Sequence, residues 1–184
     1  MGVNDDHIHA FLHDLKTCIH DVVAAEIPYL GICLGGQLLA VVLGAQVFPG
    51  RWGEMGSLQV ALTAEGTCDP LFRDLPDIFT TFQWHNDSFD IPDHGIVLAG
   101  STQCPHQAFR AGRAAWGLQF HPEVNEQIIT GWCQSDRMSS SKASELVNSF
   151  ITDVREYRFV AEKLLGNFME IVELREKQRG MLTF

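Results

Sequence analysis

A chain of 184 residues has the length of one domain, 1–184. Its 46% hydrophobic and 20% charged residues describe a soluble globular protein with a sizeable core. A net charge of −10 argues against a nucleic-acid backbone or an anionic membrane as partner.

No apolar run approaches a membrane span, and the N-terminus has no signal-peptide pattern. The cysteines, at positions 18, 33, 68, 104 and 133, are odd in number and include no Cys-x-x-Cys pair. Neither a disulfide framework nor a structural zinc site fits them, and a cytoplasmic location is expected.

In chain order, Asp6 to Ala25 reads as a helix with Phe11, Leu12, Leu15, Ile19, Val22 and Val23 on one stripe. His7, His9, His13 and His20 crowd this region. His9 and His13 have the i, i+4 spacing of a metal pair, but no cysteine or acidic set converges with them in sequence. Solvent-facing histidines are expected, and no metal is assigned.

Ile27 to Ile32 is a short apolar run behind a proline and reads as a buried strand. Gln37 to Leu43 forms helix, which Gly44 can end. Between them lies Gly31-Ile32-Cys33-Leu34-Gly35-Gly36-Gln37, a nucleophile-elbow pattern with cysteine in place of serine. Glycine supplies the small flanks that such a tight turn needs. The sulfur then stands at a helix N-terminus, where unpaired N–H groups and the helix dipole favour negative charge. Alone, this pattern also fits a buried structural cysteine in an ordinary strand–turn–helix unit.

Ala45–Phe48 is a short strand, Glu54–Leu62 a longer alternating one, and Asp69–Leu75 a short helix with proline in its first turn. Ile78–Trp84 and Val97–Ala99 are further strands. Ala108–Phe109 and Ala115–Phe120 form a hairpin about Ala111-Gly112-Arg113. Consecutive strands without intervening helices imply an antiparallel extension of the sheet. Gly117-Leu118-Gln119-Phe120-His121-Pro122-Glu123 follows, and its proline stops the strand. His121 and Glu123 are two apart, so an extended backbone sets both on one face. A histidine oriented by a carboxylate is what a cysteine nucleophile requires. Glu126–Cys133 reads as helix, Arg137–Lys142 as loop, and Ser144–Lys177 as two packing helices.

The elbow and Phe120-His121-Pro122-Glu123 resemble the two signatures of class I glutamine amidotransferases, nearest to the GMP-synthase-like glutaminases. Trp84-His85-Asn86-Asp87-Ser88-Phe89 and Gln107-Ala108-Phe109-Arg110 resemble further segments of that group. The resemblance runs from about Met1 to Glu123 and more loosely to the C-terminus. It implies an α/β, flavodoxin-like doubly wound sheet with the antiparallel extension. In the family a Gly-Gly-Pro turn precedes a segment much like Met1–Asp5, so an N-terminally truncated domain is expected. The missing strand would lie beside Ile27–Ile32, leaving an apolar edge. One oxyanion donor carried by that turn would be missing as well.

The resemblance implies a glutaminase that releases ammonia through a cysteinyl thioester. Cys33 is the implied nucleophile, His121 the base, Glu123 its orienting acid and the Leu34 backbone N–H an oxyanion donor. Gln37 is implied to help hold substrate, as are His85, Asn86 and Asp87, mainly through backbone groups. Two alternatives to the His85 segment's role stand beside this: His85 as a second base, and Trp84 as plain core. No phosphate loop or dinucleotide fingerprint occurs, so no cofactor is implied. Glutamine and an ammonia-accepting synthase subunit are the implied partners. The rival functions are a γ-glutamyl peptidase with the same triad and an inactive domain that only binds.

Overall fold

The computed structural model describes residues 1–181. Helix α1, Phe11–Ala24, leads into strand β1, Tyr29–Ile32, and helix α2, Leu34–Val42. Strands β2, Val47–Phe48, and β3, Glu54–Leu62, come next, then a one-turn helix α3, Ala64–Thr67. Strands β4, Ile78–His85, β5, Ser88–Phe89, β6, Ile96–Gly100, β7, Ala108–Ala111, and β8, Ala115–Leu118, follow. Helices α4, Glu126–Ser135, α5, Ser140–Thr152, and α6, Val154–Met181, close the chain.

Among the described residues six strands form one sheet in the order β1-β8-β7-β6-β3-β4. β1 and β8 run parallel, with Tyr29 opposite Ala115 and Ile32 opposite Leu118. The other four pairings are antiparallel, which is the expected extension. The sheet curls on itself: past the end of β8, the His121 N–H donates to the Phe82 carbonyl of β4 at 2.8 Å. This bridge carries the segment after β8 back towards β4. β1 occupies one end of the strand order.

Side-chain alternation divides the core into layers. Trp116, Leu118 and Phe120 meet Val60, Phe79, Leu98 and the α6 residues Val160 and Leu164. Ala115 and Phe109 pack with Leu12 and Ile19 of α1 and Leu38 and Leu39 of α2. A third cluster joins Phe82 to Ile129 of α4 and to Leu146 and Phe150 of α5. Helices therefore cover both faces, as an α/β domain requires.

Three expectations change at their ends. The first helix begins at Phe11, after a separate 3₁₀ turn over Asp5–His7. Its stripe is only half used: Leu12 and Ile19 are buried, whereas Phe11 is 51% exposed and Leu15 37% exposed. The Asp69–Leu75 helix shrinks to a 3₁₀ turn, Pro70–Phe72, because the Asp69 carboxylate caps the Leu71 N–H and Asp74 enters positive φ. The serine-rich loop is shorter than expected, since Ser139 accepts from the Lys142 N–H and starts α5 at Ser140.

The elbow fixes its glycines by contact. A Cβ on Gly31 would stand 2.4 Å from the Gly35 carbonyl, and one on Gly36 would stand 2.7 Å from the Leu118 oxygen. Both clashes are with backbone, which no rotamer change relieves. Gly36→Ala is expected to cost about 1–3 kcal/mol. The measurement is the urea midpoint at unchanged m-value; a midpoint equal to the parent's refutes the tight crossing of α2 over β8.

Candidate active site

Strand β1 delivers Cys33 to the turn, and backbone bonds clamp it on both sides. Its N–H donates to the Leu118 carbonyl at 2.8 Å, and its carbonyl accepts from the Gln37 N–H at 2.9 Å. Between these bonds Cys33 adopts φ 48° and ψ −105°. A non-glycine residue at such angles carries roughly 1–3 kcal/mol of strain, held by its surroundings. The residue after it, Leu34, opens α2, so its backbone N–H belongs to the helix turn that has no intrahelical acceptor.

β8 delivers the other half of the site. The backbone of His121 is tied to Phe82, and its Nδ1 lies 2.6 Å from Glu123 Oε1. The imidazole is 10% exposed and the carboxylate 37%. Because a carboxylate can only accept, Nδ1 carries the proton of this bond. The other ring nitrogen, Nε2, is buried and makes no hydrogen bond. Trp132 of α4 packs edge-on against the ring, with centroids 4.8 Å apart.

Cys33 and His121 line one pocket of about 200 Å³ with Trp84, Trp132, Ser135 and Asp136. Burial lowers the His121 pKa, but Cys33 and then Glu123 outweigh it and hold the value at about 9. The sulfur and the ring share this pocket, and no hydrogen bond joins Nε2 to it. Bonds of this kind are often long before substrate arrives and tighten in the complex. A larger groove of about 610 Å³ runs behind Glu123 along Phe150, Tyr157 and Leu165. It contains neither Cys33 nor His121.

The structure therefore brings Cys33, His121 and Glu123 together, with Leu34 beside them. The remaining expected contacts, Gln37, His85, Asn86 and Asp87, do not line this pocket. The His85 side chain is 1% exposed and turned inward, so any contact it offers substrate is through backbone groups and not through a basic ring. Its Nε2 is 3.2 Å from Glu54 Oε2, and its Nδ1 is 3.1 Å from the Asp87 carbonyl. Glu54 stands opposite His85 across β3 and β4. Asn86 is exposed and Asp87 half-buried, and neither lines the pocket. Gln37 is 4% exposed and donates to the Asp87 carbonyl at 3.1 Å.

Several pocket residues escaped the sequence reading. Trp132 and Ser135 arrive on α4 and Asp136 directly after its last residue, and only the predicted helix following the His-Pro-Glu motif pointed their way. Among the described residues Glu54, His85 and Cys104 have the mutual spacing of metal ligands. Their atoms are already engaged: Glu54 also accepts from Ser101 Oγ at 2.6 Å and from Gln107 Nε2, and Cys104 Sγ meets Ser88 Oγ at 3.4 Å. The histidines near the N-terminus are exposed at positions 7, 13 and 20 and half-buried at position 9.

The family model described as glutamine amidotransferase class-I matches residues 4–128. The glutamine amidotransferase-like protein YfeJ of Salmonella typhimurium is 32% identical over 166 residues, which is 88% of this chain and 68% of that protein. The glutamine-hydrolysing GMP synthase of Bacillus subtilis is 33% identical over 156 residues, covering 84% of this chain but only 27% of its own length. The crystal structure of a glutamine amidotransferase from Thermotoga maritima superposes with a TM-score of 0.82 at 33% identity, covering 92% of this chain and 74% of that one. With most of the chain inside the family model and the same fold in a solved relative, the protein belongs to the class I glutamine amidotransferases.

Proposed function

We propose that this chain hydrolyses the side-chain amide of glutamine to glutamate and ammonia through a thioester on Cys33. Cys33 Sγ attacks the amide carbon, and the carbonyl π electrons move onto oxygen. The Leu34 N–H faces that developing charge. His121 Nε2 takes the thiol proton and returns one to the leaving nitrogen, so ammonia departs as the C–N bond breaks. The same nitrogen then deprotonates water, which attacks the thioester carbon; the C–S bond breaks and glutamate leaves. Glu123 keeps the imidazole in the reactive orientation throughout. Asp136 at the end of α4 offers the pocket a carboxylate suited to the α-ammonium of an amino acid.

The observation that carries this reading is the unpaired His121 Nε2 sharing one pocket with Cys33 while Glu123 braces the opposite side of the ring. The Bacillus relative is named for GMP synthesis with glutamine hydrolysis, and this chain matches about a quarter of it. An ammonia-consuming synthase on another domain or subunit is accordingly the proposed partner. No described helix is long and apolar enough to cross a membrane.

A glutamine chloromethyl ketone tests the reading directly. It is expected to alkylate half-buried Cys33 before the exposed Cys18 and Cys68, and the untreated chain is expected to release ammonia from glutamine. Indiscriminate labelling of the exposed thiols with no ammonia refutes the proposal. Release of an amino acid from a γ-glutamyl dipeptide, with none of ammonia from glutamine, transfers the site to peptidase chemistry.

A further inference from the structure

Behind the elbow, buried side-chain amides form a chain that ends on the nucleophile. Gln119, the last residue before Phe120-His121, is fully buried. Its Nε2 lies 3.8 Å from Cys33 Sγ, and its Oε1 accepts from Gln37 Nε2 at 3.5 Å. Gln37 Nε2 also donates to the Asp87 carbonyl at 3.1 Å, the carbonyl that faces His85 Nδ1. His85 in turn reaches Glu54, and Glu54 receives Gln107 and Ser101.

The network fixes which end of each amide faces which neighbour. A backbone carbonyl only accepts, so the Gln37 nitrogen must face Asp87. The second hydrogen of that nitrogen then points at Gln119, which must answer with its oxygen. Gln119 is left with its nitrogen, a donor, towards sulfur. A buried donor with no other partner has a strong preference for an acceptor that bears negative charge.

We infer that Gln119 is a further functional residue of this site: its side-chain amide donates to the Cys33 sulfur and stabilises the thiolate, with Gln37 and the Asp87 carbonyl as its positioning residues. The inference deepens the glutaminase reading and rests on Cys33 as nucleophile. Charged groups facing Cys33 from other elements are His121, with Glu123 behind it, and Asp136 at the pocket wall. Helix α2 carries no charged residue. The neighbouring Tyr29, with burial pushing its pKa to about 12, holds its hydroxyl on the Gly35 carbonyl. Gln119 is thus a neutral donor to the sulfur, distinct from the ionisable groups around it.

The test uses the full chain with Gln119→Glu and Gln119→Met, following alkylation of Cys33 by iodoacetamide across pH together with kcat and KM for glutamine. Gln119→Glu keeps an acceptor for Gln37 and reverses only the end facing sulfur. Alkylation at neutral pH is expected to slow about tenfold in Gln119→Met and further in Gln119→Glu, with the profile displaced to higher pH in that order. kcat falls with KM within about twofold. Gln37→Met, which leaves Gln119 in place but unsupported, is expected to give a smaller displacement in the same direction. Folded variants, checked by thermal melting, that alkylate along the parent profile overturn the inference. The alkylation readout needs no turnover. A parent that makes no ammonia yet shows the displacement sinks the glutaminase reading and keeps this one.

Discussion

Cys33→Ala is expected to lower ammonia release from glutamine by several orders of magnitude, on the order of 10⁵–10⁶. The methyl group cannot form the thioester, and what survives is uncatalysed attack by water in a pocket that still binds. Cys33→Ser is expected to fall nearly as far. Its hydroxyl needs much stronger deprotonation than a thiol, and His121 sits in a site where sulfur already draws a proton onto the ring. Neither change relieves the positive φ at this position, so both variants should melt close to the parent. Glutamine should bind both with little loss, measured by calorimetry, because the nucleophile contributes mainly after binding. Activity equal to the parent in either variant would remove Cys33 from the chemistry.

Glu123→Gln is the second large effect, with an expected loss in kcat of about 10³–10⁴ by analogy with tampering with the orienting acid of other triads. The amide can present a nitrogen to Nδ1, which forces the ring to reverse its proton pattern or to rotate. It also removes a negative charge that raises the His121 pKa, so the value should drop from about 9 towards the ordinary histidine value. Proton NMR titration of the imidazole reads this directly. The sign for stability follows from linkage: the native state holds this proton more tightly than the unfolded chain does. Its contribution is complete below about pH 6.5 and is lost as pH rises through about 9. The gap in melting temperature between parent and variant should therefore narrow across that interval. A gap that stays constant, or a His121 titration unmoved by the substitution, would contradict the pairing of His121 with Glu123.

The parts of the site that were legible in sequence are those written locally. The elbow is a run of seven residues whose glycines are demanded by backbone crossings at Gly31 and Gly36. The His121–Glu123 bond joins residues two apart in an extended segment. Most strands were legible too, because a period of two residues needs only a short window. What could not be read is the pairing of distant residues. Glu54 meets His85 because β3 and β4 lie in a particular register, 31 positions apart. No local pattern encodes that register, and without it the burial of the His85 side chain against Glu54 cannot be seen. Trp132 and Asp136 reach the pocket through the angle at which α4 packs, which periodicity does not specify. Phe11 and Leu15 show the converse error. Helical spacing announces an apolar stripe, but only neighbouring elements decide how much of it is covered.

The backbone at Cys33 bears on how this protein can change. Its φ of 48° and ψ of −105° lie where glycine would rest with less strain than any side chain. The most comfortable residue at position 33 is therefore one that abolishes its reactivity. Selection for thermal robustness alone would drift this chain towards inertness at that position, while selection for turnover holds it in tension. Engineers seeking a hardier version should look for improvement in the outer helices and leave the turn as it stands.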